Sequence, residues 1–406
     1  MAEEKKFSES SNAFHDFLFN HGADMSKERA LELCSGHLQG NWTTITPEDI
    51  DLNVVQGGFV NRIFLCINKK SNEKVLIRLY GGKILPQGSI LRNVGLEGEV
   101  LIFHTMDVNN IGPKLLGIFD EGRLEEYHEG TDTLTNEHLE NPEVIKAFAR
   151  KLARIHSLKM PFTKKPKDYI GICREYFPKY WAPYQDFIRG IPLPEGAPEE
   201  HKKAIDFVLN YDFTPLIDWF EKMTRKFPSK VIFSHNDMNR ANCLVDPSKT
   251  GDDKVTLLDF ELSGYNYRGC DIGHHFKNRM IDIQKFTKKE TDLANSFMKQ
   301  LPYPTEEERR EFIRAYLEVA LKSYDSIDKE KDSEEYLLLE AELYGALYHL
   351  FFTAYMISTV EQFKAMGFDQ MLNMQPGLLM AHMIKDHEDR RQTIMDLETR
   401  FASLKL

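Results

Sequence analysis

The chain of 406 residues has few cysteines, and none in a pattern that could staple it. Cys34, Cys66, Cys173, Cys243 and Cys270 are scattered, odd in number and form no CxxC pair. That arrangement excludes a disulfide framework and a thiolate zinc site, and it predicts a reducing, cytoplasmic setting. Basic residues are also in short supply. With 52 Lys and Arg against 63 Asp and Glu, the formal charge is -11, which leaves no broad basic face for nucleic acid or anionic membrane. The first residues, MAEEKKFSESSNAFHDF, lack the apolar segment of a secretory signal. The uncharged run LYGALYHLFFTAYMISTV, between Glu342 and Glu361, is near the minimum for a membrane span. Its three tyrosines, His349, Thr353, Ser358 and Thr359 make it a buried core helix instead. Internal repeats and low-complexity domains are absent.

What is present is the composition of an ordinary globular protein, with 42% hydrophobic and 28% charged residues in a chain long enough for two lobes. From about 50 to 80, short apolar runs alternate with Gly, Asn, Ser and Lys turns, which predicts a small antiparallel sheet. GLEGEVLIFHTM predicts a helix, GPKLLGIF and GRLEEY two further strands, and HEGTDTLTNEHLEN a connection. In NPEVIKAFARKLARIHSLKM the apolar spacing is helical, with Asn141 as N-cap and Pro142 at the first helical position. The remainder is mostly helical in pattern, and DKEKDSEEY reads as a charged, solvated stretch. The fold class is therefore α+β, with a β-rich front part over residues 1–125 that includes an N-terminal helical tail, and a larger helical part over 126–406.

One polar cluster stands out. HNDMNRANC, residues 235–243, follows the apolar run VIF. Beyond it, LVD and VTLLDFE flank the turn-rich PSKTGDDK, which is a hairpin signal. Pairing of these runs would bring Asn242 beside Asp259, with Asp237 in the loop entering the hairpin. One carboxylate able to act as a base and an Asn/Asp pair able to ligate a hard cation are what phosphoryl transfer requires. The alternative is that Asp237, Asn242 and Asp259 each satisfy loop backbone groups, as Asx residues often do. The combination of HxDxxxxN with an apolar strand ending in DFE favours chemistry. His235 reads as a brace for the loop.

VIFSHNDMNRANCLVD and LLDFELSGYNYRGCDIGHHF together resemble the choline/ethanolamine kinase family, with its YNYRGxDIGxHF signature intact. The resemblance implies a bilobal, protein-kinase-like fold, ATP as co-substrate, Mg²⁺, Asp237 as catalytic base and Asn242 and Asp259 as metal ligands. It also implies that QGGFVN, with Gly57, Gly58 and Asn61, covers the phosphates. Arg78 in VLIRLYG would pair with ATP phosphates and be oriented by Glu99, and Glu126 and Tyr127 would mark the hinge beside adenine. Asp271 would be a structural clamp on the catalytic loop.

For the acceptor, the resemblance implies choline, whose phosphorylation opens phosphatidylcholine synthesis. A quaternary ammonium calls for aromatic faces. Tyr344, Tyr348, Phe351, Phe352 and Tyr355 lie at helical spacing, with Phe352 and Tyr355 where choline kinases usually place tryptophans. The other reading of this stripe is core packing. Asn278 and Arg279 stand where the family has a carboxylate near an aromatic residue, and Leu262 and Ile283 where aromatics are common. Arg279 is therefore expected to point away from a cationic substrate. An ethanolamine or other amino-alcohol kinase remains open, with Asn278 suited to a primary ammonium. So does a silent nucleotide-binding member acting through partners. The resemblance also implies a homodimer.

Overall fold

The computed structural model describes residues 25–55, 61–80, 90–191, 193, 196–280, 303–360 and 376–403. In chain order its elements begin with α1 (Lys27–His37), β1 (Ile50–Val55), β2 (Arg62–Asn68), β3 (Lys74–Leu79), α2 (Leu96–Val108), β4 (Leu115–Phe119), β5 (Gly122–Glu126) and β6 (Asp132–Thr133). There follow α3 (Asn136–Leu139), α4 (Pro142–His156), α5 (Tyr169–Arg189), α6 (Glu199–Leu209), α7 (Thr214–Lys226), β7 (Val231–Ser234), β8 (Cys243–Val245), β9 (Val255–Leu257) and β10 (Gly264–Tyr267). The last four are α8 (Arg268–Asn278), α9 (Glu306–Ser323), α10 (Glu334–Ser358) and α11 (Pro376–Ser403). They group into two compact units, and Asn242–Ser263 belongs with the residues up to Leu134, although Thr135–Ala241 and everything from Gly264 form the other.

The first unit is built on an antiparallel five-stranded sheet in the order β1-β2-β3-β5-β4. Alternation in β2 buries Phe64, Cys66 and Asn68, and in β3 it buries Val75 and Ile77. Ala30, Leu33 and Cys34 of α1 pack on that face with Ile50 and Leu124. The β2–β3 turn places Asn72 at φ 59, and the Asn68 carboxamide accepts the N–H groups of Lys70 and Ser71. The connection read as HEGTDTLTNEHLEN is more ordered than its polarity predicts. It contains β6, which pairs with β8 in a second sheet of order β6-β8-β9, and the short α3.

The second unit is mainly helical. Asn141 caps α4 by accepting the Glu143 N–H at 3.0 Å, with Pro142 at the first position, as its sequence predicts. Helix α4 packs on α9, and α10 packs on α5, α8 and α11. Buried on most of its circumference, α10 is a core helix, and no described helix is long and apolar enough to cross a membrane. The stretch DKEKDSEEY is not simply solvated. Asp332 is 4% exposed because Arg268 and Lys230 reach it, so this charged run conceals one buried carboxylate among exposed ones.

Candidate active site

In the helical unit, β7 delivers the chain into a loop held by Asp271. This carboxylate, on the first turn of α8, accepts the backbone N–H of His235 at 2.7 Å and of Asn236 at 2.8 Å, and meets His156 Nε2 at 3.1 Å. Burial works to raise its pKa, but the hydrogen bond and charge of His156 prevail and hold it below the ordinary carboxylate value. Asn236 adopts the left-handed region at φ 68, and three contacts fix it there. Its amide N–H is the one bound to Asp271, its side-chain oxygen accepts from Asn266 Nδ2 at 2.6 Å, and its carbonyl accepts the Tyr348 hydroxyl. Asp237 is thereby presented by a braced backbone. Its N–H donates to His235 Nδ1 at 3.2 Å, and its Oδ1 accepts from Asn239 Nδ2 at 2.9 Å.

The signature YNYRGCDIGHHF is explained largely by this support. Asn266 bridges Asn236 and the Tyr169 hydroxyl. Arg268 has no exposure and donates to Asp332 at 2.6 Å, to Glu340 at 2.6 and 3.1 Å and to the Lys331 carbonyl at 2.8 Å. Gly273 faces Gly345 across the α8–α10 crossing, where a Cβ on Gly345 would fall 2.6 Å from the Gly273 Cα.

In the β-rich unit, β8 and β9 pair with Cys243 opposite Leu257, and the Leu258 N–H donates to the Asn242 carbonyl at 2.9 Å. Asp259, at φ 60, follows directly, so the hairpin sets the two side chains at adjoining ends of its strands. Glu261 is 7% exposed, receives Arg92 at 3.3 Å and Asn61 at 3.5 Å, and has its pKa pushed up to about 8 by burial and by the Asp259 charge. Among the described residues no group of three or more His, Cys, Asp or Glu could hold a metal ion alone. An Asn/Asp oxygen pair would suit a hard cation that shares its coordination with phosphates.

The partner of Arg78 is a correction. Arg78 Nε donates to Glu125 at 2.5 Å, with Nη2 at 3.4 Å, whereas Glu99 is engaged by Arg92 at 3.1 Å and Arg123 at 2.8 Å. The reason is register: β3 pairs with β5, Arg78 lies opposite Arg123, and Glu125 sits two residues along on the same face. Arg123 bridges Glu125 and Glu99, so a ribbon of alternating charge runs from Arg78 through Glu125, Arg123, Glu99 and Arg92 to Glu261. Glu126 is tied to Lys114, by its side chain at 3.1 Å and through its own N–H, and Tyr127 lies 5.8 Å beneath Lys74 Nζ. Gly57 and Gly58 lie outside the described residues, as does Ile283.

The aromatic stripe of α10 divides. Tyr344 and Phe351 are core, the Tyr344 hydroxyl accepting the Ser229 N–H at 2.9 Å, and Tyr348 is 5% exposed with its hydroxyl spent on the loop. Phe352 and Tyr355 are half-buried, with centroids 6.2 Å apart. The Asn278 amide turns back to the His274 carbonyl at 3.1 Å. Arg279 donates to Glu308 on α9 at 2.7 Å, which neutralises its charge, and Leu262 is buried.

Comparison with known proteins decides the family, since the family model described as choline/ethanolamine kinase matches residues 52–379. The chain belongs to the choline/ethanolamine kinase family. A human choline/ethanolamine kinase is 33% identical over 353 residues, covering 83% of this chain and 82% of the relative, and the mouse choline kinase alpha is 29% identical over 349 residues, covering 80% and 73%. A choline kinase from Cryptosporidium parvum shares the fold, with a TM-score of 0.60, 17% identity, and coverage of 90% of this chain and 96% of that one. This choline/ethanolamine kinase family member is thus an ATP-dependent phosphotransferase with the protein-kinase-like fold.

Sequence reading missed several groups in this family member. Glu125 and Arg123 alternate within GRLEE, and two charges on one face of an otherwise buried strand were the available signal. Nothing local marks Arg92 or His156 as network members, because their partners are distant in sequence.

Proposed function

We propose that this chain phosphorylates choline. The choline hydroxyl oxygen attacks the γ-phosphorus of ATP, the bond to the ADP oxygen breaks, and the hydroxyl proton passes to the Asp237 carboxylate, giving phosphocholine and ADP. The observation that carries this reading is the braced loop: Asp271, Tyr348 and Asn266 fix Asn236, so Asp237 needs little reorganisation to orient a hydroxyl. Asn242 and Asp259 would hold Mg²⁺, which when bound neutralises charge on the phosphates. Arg78, kept charged by Glu125 against the cost of burial, would steady those phosphates, with Asn61, Gly57 and Gly58 as further candidates to bind them. Glu99 acts at one remove, through Arg123. Phe352 and Tyr355 supply aromatic faces for a trimethylammonium group. All five cysteines are free and buried, which suits a cytoplasmic protein.

ADP release by purified protein with MgATP, offered choline, ethanolamine and methylated ethanolamines, tests the reading. Turnover with choline should fall by about a hundredfold to ten-thousandfold in Asp237→Asn, with folding unchanged. A preference for ethanolamine would move the substrate and keep the mechanism. No turnover with any amino alcohol, in a protein that folds and binds ATP, would sink the proposal.

A further inference from the structure

His274 belongs to α8, in the variable position of DIGxHF, and its Nε2 lies 3.9 Å from Asp237 Oδ1. That nitrogen is buried and has no hydrogen-bond partner. Its ring packs edge-on against Tyr348, with centroids 5.1 Å apart at 89°, and the Tyr348 hydroxyl in turn holds the carbonyl just before Asp237. The imidazole is thus seated by the same side chain that seats the loop, and its unpartnered nitrogen faces the carboxylate at a separation about one ångström longer than a hydrogen bond.

We propose that His274 is a positioning residue for Asp237, donating from Nε2–H to Oδ1 when the acceptor substrate is bound. Apo hydrogen bonds at reacting centres are commonly long and tighten in the productive complex. Burial keeps the ring neutral, its pKa lowered to about 4. Of the groups facing it, the Asp271 carboxylate on α8 and Asp237 in the loop favour the charged ring, whereas His235 from the loop, Lys277 on α8 and His349 on α10 oppose it, and burial decides the outcome. A neutral ring beside a carboxylate favours the tautomer that puts the proton between them. Asn239 already donates to Oδ1 at 2.9 Å. A second donor there fixes the plane of the carboxylate, which sets the direction in which it receives the substrate proton. The inference rests on the reading of Asp237 as the base.

The test compares wild type with His274→Gln, which keeps an N–H donor, and His274→Leu, which does not. For His274→Leu, kcat and kcat/KM for the amino alcohol should fall together by about tenfold to a hundredfold, with the KM for ATP unchanged. Losing a donor to the ionised carboxylate raises its pKa, so the acid limb of kcat/KM should move to higher pH, and His274→Gln should restore much of both rate and limb. A structural role would not move the limb. Wild-type rates and an unshifted limb in His274→Leu would overturn the proposal, as would equal impairment of both variants with no shift. Histidine side-chain NMR of wild type and Asp237→Asn decides the pairing separately from turnover. If no amino alcohol is turned over, the kinase reading fails, and a His274 ring signal that still responds to Asp237→Asn supports the pairing, while an indifferent one overturns it.

Discussion

Glu125 carries two guanidiniums on one carboxylate with 2% exposure. Burial alone would raise its pKa, yet Arg78 and Arg123 hold it below the ordinary value, so it is ionised throughout the physiological range. Removing it leaves two cations buried side by side. Glu125→Ala should therefore lower unfolding free energy in urea by about 3–5 kcal/mol, well beyond a surface charge deletion. Glu125→Gln should fold better and raise the KM for ATP, because Arg78 would lose the group that aims it. Equal stability of Glu125→Ala and wild type would contradict the network. This residue also marks where sequence reading stopped. Two carboxylates, Glu99 on a helix and Glu125 on a strand, were both chemically suited to Arg78, and only the register of β3 against β5 chooses between them.

Among elements, the decisive packing is α8 against α10. Gly273 and Gly345 allow their backbones to touch, and the approach is what brings Asp271 beneath the loop and the Tyr348 hydroxyl to Asn236. Gly273→Ala would set a methyl 2.5 Å or so from the Gly345 Cα, so the helices must separate. Overpacking of this kind costs about 1–3 kcal/mol. Activity should fall further than stability, because the loop is disturbed at both supports, and a denaturation curve measured beside kcat will show whether it does. Much at this scale was legible beforehand: the β8–β9 hairpin from two apolar runs about a turn, the α4 cap from Asn141-Pro142, and the core character of α10 from its tyrosines. What was not legible depended on partners far along the chain. Asp332 sits in a run of charges indistinguishable from a solvated face until Arg268 is placed against it.

For the molecule as a whole, buried histidines set the acid limit. His275, His349 and His387 are held below the ordinary value of 6.5, chiefly by burial and further by neighbouring charges such as Arg279 on His275 and Lys277 on the other two. In the unfolded chain they protonate near pH 6.5, whereas the folded protein resists the proton. The unfolded state therefore binds more protons below that point, and stability is complete above about pH 6.5 and is lost progressively as pH falls. Urea midpoints measured from pH 7.5 to 5 should drop on the acid side, and His387→Leu should flatten the slope. A midpoint independent of pH would count against it.

The Arg268 cluster also bears on how the chain is made. Synthesis proceeds from the N-terminus, so the loop around Asp237 and its clamp Asp271 leave the ribosome before Asp332 and Glu340 exist. Until those carboxylates arrive, seating α8 would bury a guanidinium without its counter-charges. The loop that carries Asp237 must then wait for sequence far downstream of itself, and a nascent chain stopped short of Asp332 holds every residue of that loop without the support that shapes it.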